Sequence, residues 1–390
     1  MKIVIVIDLI DNLTNGSVMT ARRFADGLKE RGHTVSIVAV GADGADDVNV
    51  KVRYVPVLSE VSAKNQIKFG KFERDKIMTA YEGADIVHFI FPFKLGKKCK
   101  RLADRLKIPT TCAFHVQPED VSYNAHLEKL PFLSTYIYGY LRRKFYKKFN
   151  RIHCPSRFIA DQLERHRYAA QKYVISNGYD RDFRPPDTRV ENEKFEVIMV
   201  GRLAPEKKQK ILVEAVAQSK FKDRIHLTLL GNGPCRKRLE RQTKRLGVDC
   251  TFDFLPKDRL VKKLQNSDLY VHSSTVEIEA IACIEAIACG LVPIISDSRL
   301  SATPQFALDE RSLFENDNSC DLAKKIDYWL ENGDERRKMG DAYAKSAENY
   351  QLDTSLMLAE KMFEDEIAEF NRAQNAASGN GKMHKRRRAV

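Results

Sequence analysis

Two glutamates stand eight positions apart in Glu277-Ile278-Glu279-Ala280-Ile281-Ala282-Cys283-Ile284-Glu285, around the start of an apolar stretch. A wholly helical interval would part the two carboxylates by about 12 Å along the axis. That is too far to share one proton or to work as a glycosidase pair, whose carboxyl groups lie about 5 to 9.5 Å apart. The spacing suits a grip on the two ends of one elongated ligand. A helix N-terminus between them would offer free N–H groups and a positive dipole end to a pyrophosphate. The other reading open at this point is a buried helix with two surface glutamates.

A cationic pair follows a predicted strand in Gly201-Arg202-Leu203-Ala204-Pro205-Glu206-Lys207-Lys208. The planar fork of Arg202 and the compact charge of Lys207, set beside a leaving diphosphate, would stabilise the negative charge that develops on it. On its own such a pair also reads as a solvated helix start. His115 closes another predicted strand in Cys112-Ala113-Phe114-His115-Val116-Gln117-Pro118-Glu119-Asp120. A lone histidine is commonly structural, but a strand end is where open α/β sheets bind ligands. Gly231-Asn232-Gly233-Pro234 follows a further strand, and Asn15-Gly16-Ser17, preceded by Asp11 and Asn12, opens the first helix. Glycine in such turns lets a ligand come close to backbone N–H groups.

Taken together, the acidic segment, its continuation into Cys289-Gly290-Leu291-Val292-Pro293 and the Arg202/Lys207 segment resemble the retaining GT-B glycosyltransferases of the EX7E type, the family 4-like, group 1 enzymes. The resemblance covers nearly the whole chain. It implies two Rossmann-like domains facing a central cleft, and a hexose moved from a nucleotide-sugar to a hydroxyl acceptor with retained configuration. It also implies no metal and no cofactor, the nucleotide-sugar being a co-substrate: UDP-hexose ahead of GDP-mannose on family frequency alone. It assigns Arg202 and Lys207 to the leaving diphosphate, Glu277 with Glu279 to sugar hydroxyls, Glu285 to the ribose, and His115 to the transferred sugar. Gly16 and Ser17 fall by the same resemblance near the donor phosphates, and Gly231, Asn232, Leu255, Ala280 and Ile281 elsewhere in the donor pocket. One departure stands out. Many members carry a glycine-rich, aromatic-containing stretch after the first Glu, where this chain has Ile278-Glu279-Ala280-Ile281, and a third carboxylate there reshapes the expected sugar pocket.

The elements that must position these residues are legible as apolar runs of about five or six residues alternating with helical periods, the pattern of parallel strands buried on both faces. One series runs Lys2–Leu9, Val35–Val40, Asp85–Phe91, Pro109–His115, Arg151–Pro155 and Lys172–Ser176. A second runs Phe195–Gly201, Ile225–Gly231, Cys250–Leu255, Asp268–His272 and Leu291–Ser296, with a helix over Lys208–Ser219. Between the first two strands Val18, Ala21, Ala25 and Leu28 make one apolar helical face before Gly32, completing a βαβ unit. The expected fold is α/β, GT-B. Its acceptor-side domain spans 1–180 and its nucleotide-sugar domain 195–350, joined by a linker over 181–194 that contains Pro185-Pro186. A helix over 351–372 is expected to pack back on the first domain, ahead of a disordered basic tail over 373–390 ending in Lys385-Arg386-Arg387-Arg388.

The chain has 390 residues, 43% of them hydrophobic, enough for two cores. No apolar run approaches the roughly 18 to 20 residues of a membrane span, and the start, with Asp8 and Asp11 following a short apolar run, reads as a buried strand rather than a signal peptide. Eight scattered cysteines show no CxxC pair and no zinc spacing, which fits a reducing cytosol. A net charge of +13 points to anionic partners without choosing among them. From Tyr136 to Arg151 there are six basic residues, six aromatics and no acidic ones, and Lys94–Lys107 adds seven basic residues. Such a helix can lie on an anionic bilayer. A lipid or lipid-linked glycan acceptor on the cytoplasmic face of a membrane follows. The competing reading packs Ile137, Leu141, Phe145 and Phe149 on the N-terminal sheet. A soluble acceptor and a non-catalytic sugar-nucleotide-binding protein are the alternatives. Nucleic-acid binding finds no supporting motif, and a phosphorylase would need a cofactor-lysine context that is missing.

Overall fold

The computed structural model describes residues 1–11, 16–54, 68–124, 131–188 and 192–386. Seven strands form the first sheet: β1 (Lys2–Leu9), β2 (Thr34–Val40), β3 (Val48–Asn49), β4 (Ile86–Phe89), β5 (Thr110–Ala113), β6 (Arg151–Cys154) and β7 (Gln171–Val174). Their order is β3-β2-β1-β4-β5-β6-β7, with parallel pairing throughout. Ile3 to Ile7 of β1 are all buried, as a strand covered on both faces requires.

The second sheet takes β8 (Phe195–Val200), β9 (Ile225–Leu230), β10 (Cys250–Asp253), β11 (Leu269–His272), β13 (Val292–Asp297) and β15 (Leu313–Glu315) in the order β10-β9-β8-β11-β13-β15, again parallel. A short pair, β12 (Val276–Glu277) and β14 (Leu300–Ser301), stands apart from it. In each sheet the strand order reverses beside the first strand of the domain, between β1 and β4 and between β8 and β11. Crevices open at the carboxyl ends of strands at such switch points. Gly201-Arg202 leaves β8 there, and the chain from β11 to Glu277 leaves the other side.

The helix Gly16–Glu30 buries Val18, Ala21, Ala25 and Leu28, the face that the spacing predicted, and adds Phe24. The last helix, Leu352–Arg386, returns to the first domain. Its Leu356, Ala359, Met362 and Phe363 join the β1 core at three- and four-residue steps. Arg151 fastens it by contacts of 2.5 Å to Glu366 and 2.7 Å to Glu369. This helix runs on to Arg386 where a disordered tail was expected from Ala373: in Ala373-Gln374-Asn375-Ala376-Ala377, the three alanines and Gln374 are good helix formers and continue it. Arg387–Val390 lie outside the described residues, as do Asn12, Asn15 and residues 189–191 of the expected linker.

The aromatic and basic stretch is not one surface helix. The helix Pro131–Lys144 ends in a 3-10 turn over Tyr146–Lys148, and Arg151 already belongs to β6. Tyr138, Leu141, Phe145, Tyr146 and Phe149 are buried in the first domain, so the packing reading holds for most of the aromatics. Phe132, Tyr136 and Tyr140 remain exposed. No helix among the described residues is long and apolar enough to cross a membrane.

Candidate active site

Lys207 and Glu277 meet in the crevice of the second domain. Lys207 closes a 3-10 turn over Pro205–Lys207, and its Nζ lies 2.5 Å from Glu277 Oε1. His272 Nε2 lies 3.0 Å from the same oxygen. Burial alone would raise the Glu277 carboxyl, but Lys207 and His272 outweigh it and hold the group well below the ordinary carboxylate range. Burial likewise opposes the Lys207 charge, and Glu277 outweighs that too, lifting the ammonium above its usual value. The pair therefore stays ionised across the neutral range.

Arg202 sits on a loop built by glycines. A Cβ on Gly231 would come 2.0 Å from Gly201 O, and one on Gly233 would come 2.3 Å from Leu203 O. Leu203 N donates to Asn232 O at 3.0 Å and Cys235 N to Leu203 O at 2.9 Å. The Gly231-Asn232-Gly233 turn thus buttresses the Arg202 loop, so its glycines are explained by backbone packing. Leu255, just past β10, is half-buried against the second core.

Glu285 lies on the helix Ile281–Ala288 and is buried. Its Oε1 accepts from Arg23 Nη2 at 2.8 Å, and Arg23 also donates to Gly178 O at 3.1 Å. Burial raises the Glu285 carboxyl, with Arg23 opposing. Ala280 precedes this helix at φ 75°, ψ 68°, a left-handed conformation, and leaves the first N–H groups without a side-chain cap. Ile281 opens the helix. Glu279 turns toward the end of the first domain: its Oε2 accepts from Asn177 N at 2.8 Å, and its Oε1 is buried. Burial pushes its carboxyl up to about 7.

From the first domain, Gly16 begins the helix Gly16–Glu30, with Ser17 beside it and open space where a Cβ of Gly16 would stand. His115 is buried just past β5, edge-on to His153 at 5.5 Å, with no partner on Nε2. Burial, with His153 beside it, pushes its imidazole down to about 3, so it is neutral at ordinary pH. Asp120, on the short helix Pro118–Asn124, is raised to about 6 by burial, then by Glu206, with Lys207, Glu277 and Arg202 also acting on it. It faces the charged cluster across the cleft. Sequence reasoning missed Arg23, Asp120 and His272. Only Asp120, five residues past a strand-end histidine, carried a signal that could have found it. Among the described residues no group of three or more His, Cys, Asp or Glu could hold a metal ion.

Residues 14–183 match the model of Glycosyltransferase Family 4, and residues 180–346 that of Glycosyl transferases group 1. An alpha-monoglucosyldiacylglycerol synthase of Streptococcus pneumoniae is 26% identical over 229 residues, 54% of this chain and 51% of the relative, so the match spans about half of that protein's length. The catalytic domain of a cholesterol-alpha-glucosyltransferase from Helicobacter pylori shares 52% identity over 40% of this chain and 99% of that one, at a TM-score of 0.38. Anabaena HepE, solved with UDP and glucose, superposes at a TM-score of 0.71 and 16% identity over 94% of this chain and 100% of that one.

Proposed function

The chain belongs to the family 4-like, group 1 glycosyltransferases of GT-B fold, and from that membership we propose that it is a retaining hexosyltransferase using a nucleotide-sugar, UDP-hexose before GDP-mannose. The observation that carries the reading is the ionised Lys207–Glu277 pair at the mouth of β11, with Glu285 on the adjoining helix. In this mechanism the diphosphate leaves while Arg202, Lys207 and the uncapped N-terminus of the helix Ile281–Ala288 hold its charge. Glu277 orients sugar hydroxyls and Glu285 takes the ribose, sharing its carboxylate with Arg23. His115, neutral and with one nitrogen free, lies against the transferred sugar. The acceptor hydroxyl attacks from the face that the diphosphate leaves, so configuration is kept. Charge stabilisation by these residues leaves no step that calls for a metal.

The acceptor proposed is a lipid or lipid-linked glycan. Support comes from the Streptococcus relative, whose name specifies a diacylglycerol product, and from a surface where Phe132, Tyr136 and Tyr140 are exposed and Lys97 Nζ stands 5.2 Å from the Tyr140 ring centre. The basic helix Lys94–Leu106 adjoins it, and the combination suits peripheral contact with an anionic bilayer. Thermal shift against UDP- and GDP-sugars, followed by calorimetry on Glu285→Ala, tests the donor site: the variant should bind the donor at least about tenfold more weakly, and unchanged affinity would overturn the assignment. Co-sedimentation with phosphatidylglycerol vesicles tests the surface. Binding should fall in Phe132→Ser/Tyr136→Ser, and no binding by the wild-type protein at low salt would remove it.

A further inference from the structure

Two side chains of β11 hold Glu277 from behind. Tyr270 and His272 are two residues apart, so they share a face of the strand, and both are buried. Tyr270 Oη lies 3.1 Å from His272 Nδ1, and His272 Nε2 lies 3.0 Å from Glu277 Oε1. A carboxylate can only accept, so Nε2 must carry the proton that it shares with Glu277. Burial keeps the Tyr270 phenol protonated, so its O–H is available to donate to Nδ1. Read that way, the chain has one direction, phenol to imidazole to carboxylate.

Lys207 takes the same carboxylate oxygen as His272. Both of these donors sit on Oε1, and Oε2 is not one of the fully buried, partnerless oxygens. Oε2 is therefore the edge of the carboxylate that this pair leaves to a ligand. Lys207 alone would tether Oε1 through a flexible four-carbon arm. A second, rigid donor at an angle to it stops the carboxylate from turning, and a neutral donor does so without adding charge to the balanced pair.

We propose that Tyr270 and His272 are positioning residues, a neutral hydrogen-bond relay that fixes Glu277 so that Oε2 meets the sugar of the donor. This rests on the reading of Glu277 as the sugar-orienting carboxylate. Removing one hydrogen bond to a buried carboxylate should cost on the order of tenfold to hundredfold.

The experiment is steady-state turnover of UDP-glucose by the full chain with His272→Leu, His272→Gln and Tyr270→Phe, together with nitrogen-15 histidine NMR of the wild-type protein. His272→Leu should lower kcat by roughly tenfold to hundredfold while donor KM changes by less than about twofold, because a misaligned carboxylate costs most at the transition state. His272→Gln, whose Nε2 can reach the place of the imidazole Nε2, should recover most of the loss. The wild-type ring should show the Nε2–H tautomer, and Tyr270→Phe should give a mixture. Equal losses in the Leu and Gln variants, a change confined to KM, or an Nδ1–H or doubly protonated ring in the wild type would each overturn the relay. The NMR result stands even where a variant does not fold. Failure of the wild-type chain to turn over any UDP- or GDP-sugar would instead sink the reading of the site on which the relay rests.

Discussion

Replacing Glu279 by Gln should make the protein more stable, and by an amount that depends on pH. The carboxyl is buried, and its pKa moves from 4.5 to about 7. A carboxyl whose pKa is higher folded than unfolded binds its proton more tightly in the folded chain, so folding loses stability as pH rises through that interval. Below about pH 4.5 both states are protonated and nothing is lost. Above about pH 7 the whole difference, about 3 kcal/mol at about 1.4 kcal/mol per unit, counts against the fold. Glutamine is neutral throughout. Its amide oxygen can accept from Asn177 N as Oε2 does. Urea unfolding followed by the fluorescence of Trp329, the sole tryptophan and buried in the same domain, should therefore show a gain larger by about 3 kcal/mol at pH 8.5 than at pH 4. An equal gain at both pH values, or a loss at pH 8.5, would refute the reasoning.

Ala280→Gly should stabilise the fold by about 0.5–1 kcal/mol in the same urea assay, since a left-handed L residue costs about 1–2 kcal/mol and the added freedom of unfolded glycine returns part of it. Arg151→Met should destabilise by about 3–5 kcal/mol by stranding Glu366 at the root of the last helix, and Arg151→Met/Glu366→Met should recover most of that. In Lys207→Met, burial acts on Glu277 with only His272 against it, so its carboxyl moves up. The residual turnover of that variant should then climb with pH where the wild type, whose Glu277 is ionised well below neutrality, shows no such limb from this group; a pH–kcat profile checks it.

Much of the scaffold was legible because it follows from burial. The central strands of both sheets are apolar runs covered on two faces, and Val18, Ala21, Ala25 and Leu28 repeat at the helical step. The strands that escaped, β3, β12 and β14 with two residues each and β15 with three, are too short to carry a pattern. Phe145, Tyr146 and Phe149 show the limit of composition: beside basic residues they look like a bilayer face, yet Arg142 donates to His166 O at 2.9 Å while the rings turn inward. Charge density in sequence does not tell which way a side chain points. Glu277, Glu285, Arg202 and Lys207 were found because their order along the chain is itself informative. Arg23 and His272 were not, since nothing in their local sequence records that folding sets them against those two glutamates.

The departure at Ile278-Glu279-Ala280 is better explained by the facing domain than by the sugar. Ile278 packs against the core of the first domain, and its carbonyl accepts from Ser156 Oγ at 2.6 Å. Glu279 receives Asn177 N at the start of the crossing between domains. Ala280 supplies the left-handed turn that a glycine would otherwise make. Five residues on, Glu285 is held by Arg23 of the first domain, and Gln117 Nε2 donates to Leu300 O at 2.8 Å. The segment that carries the two proposed donor carboxylates is thus also the segment that touches the other domain. Glu285 meets the first domain directly through Arg23, whereas Glu277, with its side-chain partners Lys207 and His272 in the second domain, meets it through its neighbours: Ile278, held by Ser156, and β14, held by Gln117 at Leu300 and paired with β12. Substitutions at Ser156 or Gln117 should then disturb sugar orientation through Glu277, read as kcat for donor turnover, more than ribose binding through Glu285, read as donor affinity.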